Sequence, residues 1–212
     1  DGTLLNFYKD GSAIGSIGGS SNILSIVGKD GNGGIAIQNN SFGDIVYPAS
    51  NTSGGASNGA IDLGYNNGRW KDLYLSGGVY LGGTGSANKL DSFEEGTFQM
   101  TASGVSGGAF GQGKYVKIGA LVHWQWYSGA MSVSGGVSAT LSGLPFVTSS
   151  ASGVYSTFTS SHNTYSGTAT TGYLSIGNVY CYFIPANSTA SAPTQAGNPR
   201  YVIASGTYYT DV

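Results

Sequence analysis

The sequence predicts an all-β protein, in which a glycine-rich first half of short strands precedes a C-terminal β-sandwich or jelly roll. Of its 212 residues, 37 are glycine and 30 are serine, whereas only 8% are charged and 12% are aromatic. A helical protein would need Ala, Leu, Glu and Lys in quantity, and a disordered chain would contain few aromatic residues. Eight basic residues and a net charge of −2 exclude a nucleic-acid binder, because such a protein needs clustered Lys and Arg to replace phosphate counterions.

Short apolar segments separated by turn residues predict the strands of the first half. Asp10-Gly11 and Asp30-Gly31 mark tight reversals, because Asp-Gly pairs tolerate the left-handed backbone of a hairpin turn. The surrounding Lys-Asp-Gly sequence begins at Lys9 and again at Lys29 and does not continue, so it defines no repeat family. The predicted strands are Leu4–Tyr8, Ile23–Val27, Ile35–Ile37, Asp44–Tyr47, Leu73–Leu75 and Val79–Leu81.

The first half holds few groups for a core of its own. Residues 1–95 contain 28 large apolar side chains and 20 glycines, too little burial to offset the conformational entropy of so many residues. Strands of four or five residues also leave many open sheet edges. Identical chains that pair with and cover one another solve both problems. We therefore expect an obligate oligomer, a homotrimer in particular.

Charge and composition change near residue 95. Fourteen of the eighteen charged residues precede residue 96, and the last 117 residues hold only Lys114, Lys117, Arg200 and Asp211. Residues 87–95 have a helical composition, with Asn88 as a possible cap, and predict a short joint of one or two helical turns. The predicted domains are thus 1–86, the joint 87–95, and 96–212.

The second half predicts seven or eight strands with turns every 8–12 residues, a spacing typical of a sandwich or jelly roll. Lys117–Leu121 has the pattern of a hairpin turn between two of these strands. The predicted strands are Thr97–Ala102, Lys114–Ile118, Leu121–Tyr127, Val137–Leu141, Val154–Thr159, Tyr173–Ile176, Val179–Ile184 and Arg200–Ala204.

Three segments resemble the shaft-to-tip region of tail fibre proteins of tailed bacteriophages. They are Asn67–Gly83, Asn88–Phe98, and Gly113–Gly119 with its continuation through a strand to Leu141–Phe146. The resemblance implies an intertwined trimeric β shaft over residues 1–86 and a tip domain over 96–212. It also implies a place at the distal end of the tail fibre of the virion, joined to the rest of the phage tail. The expected partner is a bacterial surface glycan or an outer-membrane protein, bound during host attachment.

We expect no signal peptide in this sequence. The chain opens with Asp1 rather than methionine, and we expect a piece of a longer protein. Its longest apolar run, Val179–Ile184, has six residues, against the ~20 of a membrane helix.

Carboxylates decide between a binding protein and an enzyme. Glycoside hydrolysis needs two carboxyl groups across the scissile bond, and Asp211 is the one carboxylate side chain in residues 97–212. The sequence therefore predicts no enzyme. A polysaccharide depolymerase using carboxylates of the first half stays open as an alternative, as does a purely structural fibre segment. The aspartates of the first half that this alternative would draw on are Asp44, Asp62, Asp72 and Asp91.

The sequence predicts neither a metal site nor a cofactor. His123 and His162 are far apart and have no second ligand at zinc spacing. Asp30–Gly33 resembles part of a calcium loop but lacks the bidentate acid, and Gly82–Gly85 lacks the lysine of a phosphate loop. Cys181 alternates with tyrosines along a strand and is predicted to be a core thiol.

The second half is rich in Ser, Thr, Gly, Asn and Tyr, a composition that in antibody loops supplies amphipathic rings and adaptable hydrogen bonds. We expect receptor contacts first in the loop with His162, Asn163 and Tyr165, and next at Tyr208 and Tyr209. The loop 187–198 is a third candidate. Along Leu121–Tyr127 one alternating set faces inward, so the two tryptophans either fill the core or stack on a ligand. The candidates on this strand are Trp124, Trp126 and Tyr127.

Apolar residues of the first half are candidates for contact between chains, because aromatic and aliphatic anchors form the centres of interfaces. Trp70, between Arg69 and Lys71, is the principal one. The complete set is Trp70, Leu73, Leu75, Val79 and Leu81.

Overall fold

A computed structural model describes residues 2–29, 33–41, 43–90, 92–106, 111–186, 188 and 190–211. The protein is all-β, as the sequence predicts, and divides into two compact units, Asp1–Tyr74 and Leu75–Val212. The sequence predicts a domain boundary after Glu95, where the content of charged residues changes, and this boundary stays a prediction. Among the described residues, no helix has the length and hydropathy of a membrane span.

The first unit contains a five-stranded antiparallel meander in the order β1-β2-β3-β4-β5. Asp10 and Gly11 connect β1 to β2 with φ angles of 51° and 80°, the left-handed pair of a type I′ hairpin turn. The sequence missed β2, because its two large apolar residues, Ile14 and Ile17, are three positions apart among glycines and serines and show no period of two. The strands are β1 Gly2–Lys9, β2 Ser12–Ser20, β3 Ile23–Gly28, β4 Gly34–Asn40 and β5 Gly43–Ala49.

The two faces of this meander differ. Residues 50–57 cover one face, where the Ser25 hydroxyl donates to the Thr52 carbonyl over 2.7 Å. The core beneath them is small: among the described residues it consists of Val27, Ala36 and Ala49 with flanking contacts. On the other face, which we call the apolar face, large side chains are 45–68% exposed. They are Leu24, Ile26, Ile35, Ile37 and Val46.

The segment that leads into the second unit has little regular structure. Tyr65 and Gly68 exchange two backbone hydrogen bonds of 3.0 and 3.1 Å, and the strand predicted at Leu73–Leu75 is wrong. Strands β6 (Val79–Tyr80) and β7 (Lys89–Leu90) form a short hairpin.

The predicted helical joint is also wrong. Residues 87–95 contain the end of a single 3-10 turn, Ser86–Asn88, then β7 and the start of β8, while Asp91 lies outside the described residues. Phe93 pairs with Ile118 and Glu95 with Val116 across the ladder, so pairing between strands overrides the local helical composition.

Nine strands of the second unit form one nearly closed antiparallel sheet in the order β8-β10-β11-β18-β14-β15-β16-β13-β9. Its edge strands β8 and β9 are separated in the chain by Met100 alone, so the sheet curls until its two edges come close together. Strands β12 and β17 form a separate two-stranded sheet. The strands are β8 Phe93–Gln99, β9 Thr101–Ala102, β10 Gln112–Ile118, β11 Leu121–Tyr127, β12 Met131–Val133, β13 Thr140–Ser142, β14 Ser156–Ser161, β15 Thr171–Leu174, β16 Tyr180–Ile184, β17 Gly197–Arg200 and β18 Ile203–Tyr209.

An aromatic core fills the inside of this curled sheet. The Phe158 ring meets Phe183 edge-on at 4.9 Å and lies 6.0 Å from Trp124, within the range favoured by aromatic pairs. Gly206 gives these rings room, because a Cβ there would lie 2.9 Å from the Phe158 Cβ and 3.1 Å from the Trp124 Nε1. The predicted hairpin turn is confirmed: Ile118 pairs with Leu121 across Gly119 and Ala120.

Candidate binding surface

Trp124 and Trp126 belong to the core. Both point inward from β11 and are 0% and 2% exposed, whereas Leu121, His123, Gln125 and Tyr127 point outward. The Trp126 indole donates a 2.7 Å hydrogen bond to the Gly111 carbonyl. Neither tryptophan is available to a ligand, so the alternative in which they stack on a receptor is wrong.

Tyr165 and Tyr208 are also core residues, which corrects their assignment as receptor contacts. The Tyr165 hydroxyl lies 3.0 Å from the Ser103 carbonyl oxygen and 3.3 Å from the Thr140 carbonyl oxygen, and burial raises the pKa of this phenol. The Tyr208 hydroxyl donates to the Phe146 carbonyl over 2.9 Å, and burial likewise raises its pKa. A hydroxyl group does not keep a tyrosine at the surface when carbonyl oxygens within the fold accept a hydrogen bond from it.

Two other predicted residues, His162 and Tyr127, meet at the surface through a third ring. Tyr201 stacks on His162 with ring centroids 5.1 Å apart and an interplanar angle of 16°, and on Tyr127 at 6.4 Å and 12°. We call these three rings the His162 stack. His162 and Tyr127 are exposed and Tyr201 is half-buried.

Two hydrogen bonds to the backbone of Tyr201 fix this arrangement. The Thr164 amide donates to the Tyr201 carbonyl over 2.9 Å, and the Tyr201 amide donates to the Thr164 hydroxyl over 2.8 Å. These bonds hold the His162 loop against the segment between β17 and β18. His162 itself has a φ of 49°, a left-handed conformation that a non-glycine residue adopts at a cost.

Asn163 supports the loop from within. Its amide nitrogen donates to the Ser166 hydroxyl over 2.6 Å and to the Ala169 carbonyl, while its oxygen accepts from the Ser166 amide over 3.0 Å. Because these bonds occupy both ends of the side-chain amide, the structure makes Asn163 a positioning residue for the loop.

A shallow groove adjoins the stack at Tyr127. Tyr127 pairs with Ile203 across the β11–β18 ladder, and both line the groove. The polar lining residues are Gln112, Lys114 and Gln125. Aromatic faces, side-chain amides and a single cation therefore lie side by side, a combination suited to a ligand with hydroxyl groups and apolar C–H faces.

Tyr209 is exposed but does not join this surface. It pairs with Leu121 at one end of β18, whereas Ile203 and Tyr127 lie at the other end, about 20 Å away at the usual rise per strand residue. The loop 187–198 remains an untested candidate, with residues 187 and 189 outside the described part of the chain.

Tyr201 is the member that sequence reasoning missed. The sequence predicts it within the strand Arg200–Ala204, and its ring partners Tyr127 and His162 lie far away in the chain, so no local pattern marks it.

The candidates for contact between chains are all exposed in the single chain. Trp70 is 69% exposed and lines a groove with Leu63, Tyr65 and Leu73. The charged residues that also line this groove are Asp62, Arg69 and Asp72. The remaining candidates, Leu75, Val79 and Leu81, are exposed as well. Their contact with another chain stays a prediction.

Asp211, the one carboxylate side chain of residues 97–212, is held in place by hydrogen bonds from two serines. Its two oxygens accept hydrogen bonds of 2.7 Å from the hydroxyls of Ser149 and Ser150, and these bonds lower its pKa. His123 Nδ1 lies 3.1 Å from the Thr207 hydroxyl. Within the described ranges no three His, Cys, Asp or Glu side chains converge on a metal position, and the Asp30–Asn32 part of the calcium-like loop lies outside those ranges.

Comparison of the chain with protein-family models, curated proteins and solved structures gives no match.

Proposed function

We propose that this protein is the distal, receptor-binding segment of a homotrimeric tail fibre of a tailed bacteriophage. The observation that carries receptor binding is the His162 stack: three aligned rings at the surface of a unit with very little charge. Between Lys117 and Arg200 the sequence contains no Asp, Glu, Lys or Arg. Rigid aromatic rings beside hydroxyl and amide groups are the usual composition of adaptable binding surfaces.

The apolar face of the first unit supports a trimer. Ile26 pairs with Ile35 and Leu24 with Ile37 across the β3–β4 ladder, so these exposed side chains form adjoining rows rather than scattered contacts. Exposed apolar areas of this kind mark contact surfaces. In the described part of the chain, strand β1 and the part of β5 before its bridge from Ala49 to Ala56 form the outer edges of this sheet, which another chain can cover or extend.

Within this proposal, residues 1–86 form the shaft, and the nearly closed sheet is the tip, a domain of β-sandwich or jelly-roll type. Nine antiparallel strands around one aromatic core support this assignment. A lone first unit has three fully buried apolar residues among those described, which favours a shaft completed by its own copies.

Adsorption to host bacteria tests the function. We expect the purified protein to bind host cells and to compete with virions for them. His162→Ala and Tyr127→Ala should each weaken adsorption about tenfold, as expected for residues at the centre of a contact. Val137→Ala, which trims another exposed side chain of the same unit, is the matched control and should adsorb as the parent does.

The outcomes separate the proposal from its alternatives. Failure of the parent protein to adsorb or compete would refute receptor binding and favour a purely structural fibre segment. Normal adsorption by both ring variants would leave attachment intact and exclude the His162 stack as its site. Sedimentation should give a trimer, and a folded monomer at micromolar concentration would refute the shaft assignment.

A further inference from the structure

A second group of aligned rings lies on strands β15 and β16. Tyr173 and Tyr182 are cross-strand partners, and their rings stack with centroids 5.3 Å apart and an interplanar angle of 25°. Tyr155, just before β14, places its ring 6.4 Å from Tyr173 at 63°. We call these three residues the tyrosine file. Tyr155 is 62% exposed, and the two stacked rings are half-buried.

Hydroxyl groups continue the row at both ends. Thr157 pairs with Tyr173 on one side, and Thr140 pairs with Tyr182 on the other. Directly opposite residues of a sheet present their side chains on the same face. The row therefore reads Thr-Tyr-Tyr-Thr across four strands, with aromatic carbon in the middle and a hydroxyl at each end.

The face that carries this row holds no formal charge, since strands β13 to β16 all fall within the uncharged stretch between Lys117 and Arg200. An acidic ligand would lose its hydration here without gaining an ionic partner. A neutral ligand meets no such penalty, and hydroxyl groups can both donate and accept hydrogen bonds from it.

We propose that the tyrosine file is a binding site for a neutral glycan. The C–H faces of the sugar rings stack on the tyrosines, and the sugar hydroxyls bond to the threonine hydroxyls at both ends of the row. The inference rests on the proposed function for the source of the glycan, the host surface, but the binding itself is measurable without cells.

Affinity electrophoresis tests the site on the full chain. The probes are three neutral polysaccharides, dextran, yeast mannan and galactan, and the anionic polysaccharide alginate, each cast in a native gel. We expect at least one neutral polysaccharide to retard the protein and alginate not to do so. Tyr173→Ala and Tyr182→Ala should each raise the dissociation constant at least about tenfold.

Two further variants guard against a folding artefact. Tyr173→Phe keeps the stacking ring and should stay within about threefold of the parent. Tyr155→Ala trims the most exposed ring without opening the core and should weaken binding at least about threefold. Val147→Ala, an exposed apolar residue of the same unit, is the control and should bind like the parent.

Absence of retardation by all three neutral polysaccharides would overturn the proposal. So would unchanged binding by folded Tyr155→Ala, or retardation by alginate equal to that by the neutral gels. If the Tyr173→Ala and Tyr182→Ala variants lose cell adsorption while the parent binds no glycan, the file contacts a protein and the proposal is wrong. A parent that binds glycan but not cells keeps this site and refutes the proposed function. A parent that adsorbs to cells but binds no neutral glycan keeps the proposed function and refutes this site.

Discussion

The hydroxyl group of Tyr165 offers a quantitative test of the corrected site assignment. The ring is fully buried and meets Phe183 at 6.0 Å, while its hydroxyl bonds to Ser103 and lies 3.3 Å from the Thr140 carbonyl. Tyr165→Phe keeps the ring and removes only the oxygen. Tyr165→Ala removes the ring as well.

The structure sets the size of each effect. Tyr165→Phe removes the hydroxyl that lies 3.0 Å from the Ser103 carbonyl oxygen, whereas the Thr140 carbonyl keeps the Ser103 amide as a donor over 2.9 Å. The loss of this donor costs about 1–3 kcal/mol of unfolding free energy. Tyr165→Ala also opens a cavity beside Phe183, and truncation of a large buried ring costs about 3–5 kcal/mol. Tyr127→Phe removes a hydroxyl from a ring that is 45% exposed, and should change the unfolding free energy by less than about 0.5 kcal/mol.

Urea unfolding followed by tryptophan fluorescence measures these differences, because Trp124 and Trp126 report on the same core. Adsorption to host cells should be unchanged in folded Tyr165→Phe. A variant with parental stability that no longer adsorbs would refute the reasoning, since it would show that Tyr165 contacts the receptor and not the core carbonyls.

The same burial predicts an alkaline limit to stability. Burial raises the pKa of Tyr165 above its ordinary value of 10.0, so in the folded state the phenol keeps its proton where the unfolded chain loses it. The stabilisation is therefore complete below pH 10 and falls as the pH rises further. Urea midpoints from pH 8 to 11 should decline less steeply in Tyr165→Phe than in the parent; equal slopes would contradict the assignment.

Three further predictions concern other positions. Gly206→Ala forces a Cβ against the core rings and should cost about 1–3 kcal/mol in urea unfolding, whereas Gly77→Ala, with open space around the new Cβ, should cost none; equal effects would contradict the close approach. Burial raises the pKa of the Cys181 thiol, so a thiol reagent at pH 8 should label it only as fast as the protein unfolds, and rapid labelling of folded protein would place it outside the core. Hydrogen bonds from Ser149 and Ser150 lower the pKa of Asp211, so their stabilisation is present above pH 4 and lost as the pH falls through that lowered pKa. The urea midpoint of Asp211→Asn should therefore fall less than that of the parent as the pH is lowered. An equal fall in both proteins would contradict the stabilising role of these hydrogen bonds.

Strands with strict alternation were predictable from the sequence. The bounds of β11 match the prediction because apolar and polar residues alternate over Leu121–Tyr127. Strand β2 escaped because Ile14 and Ile17 are three positions apart, so its sequence has no period of two. The helical joint failed for another reason: its residues prefer a helix locally, but Phe93 and Glu95 pair with β10, and no local pattern contains that partner.

The candidate site was predictable only in part, because alternation shows that two sets of side chains face opposite ways without showing which set faces the core. On β11 the set with Val122 and both tryptophans faces the core. Tyr165 was misassigned since its loop lacks apolar periodicity, although it reaches carbonyls some 25 and 62 residues away in the chain. The stacking of Tyr201 between His162 and Tyr127 depends on three segments and follows from none of them alone.

The period of two along a strand also has a functional consequence. Val122, Trp124 and Trp126 are at most 2% exposed, while His123 and Tyr127 on the same strand contact solvent. Outward substitutions of a strand usually change stability by less than about 0.5 kcal/mol, whereas inward truncations of rings cost about 3–5 kcal/mol. The outer face can therefore change its chemistry residue by residue while the core keeps the sheet curled. A surface used to recognise a variable partner benefits from this separation, because each new contact is selected on binding alone.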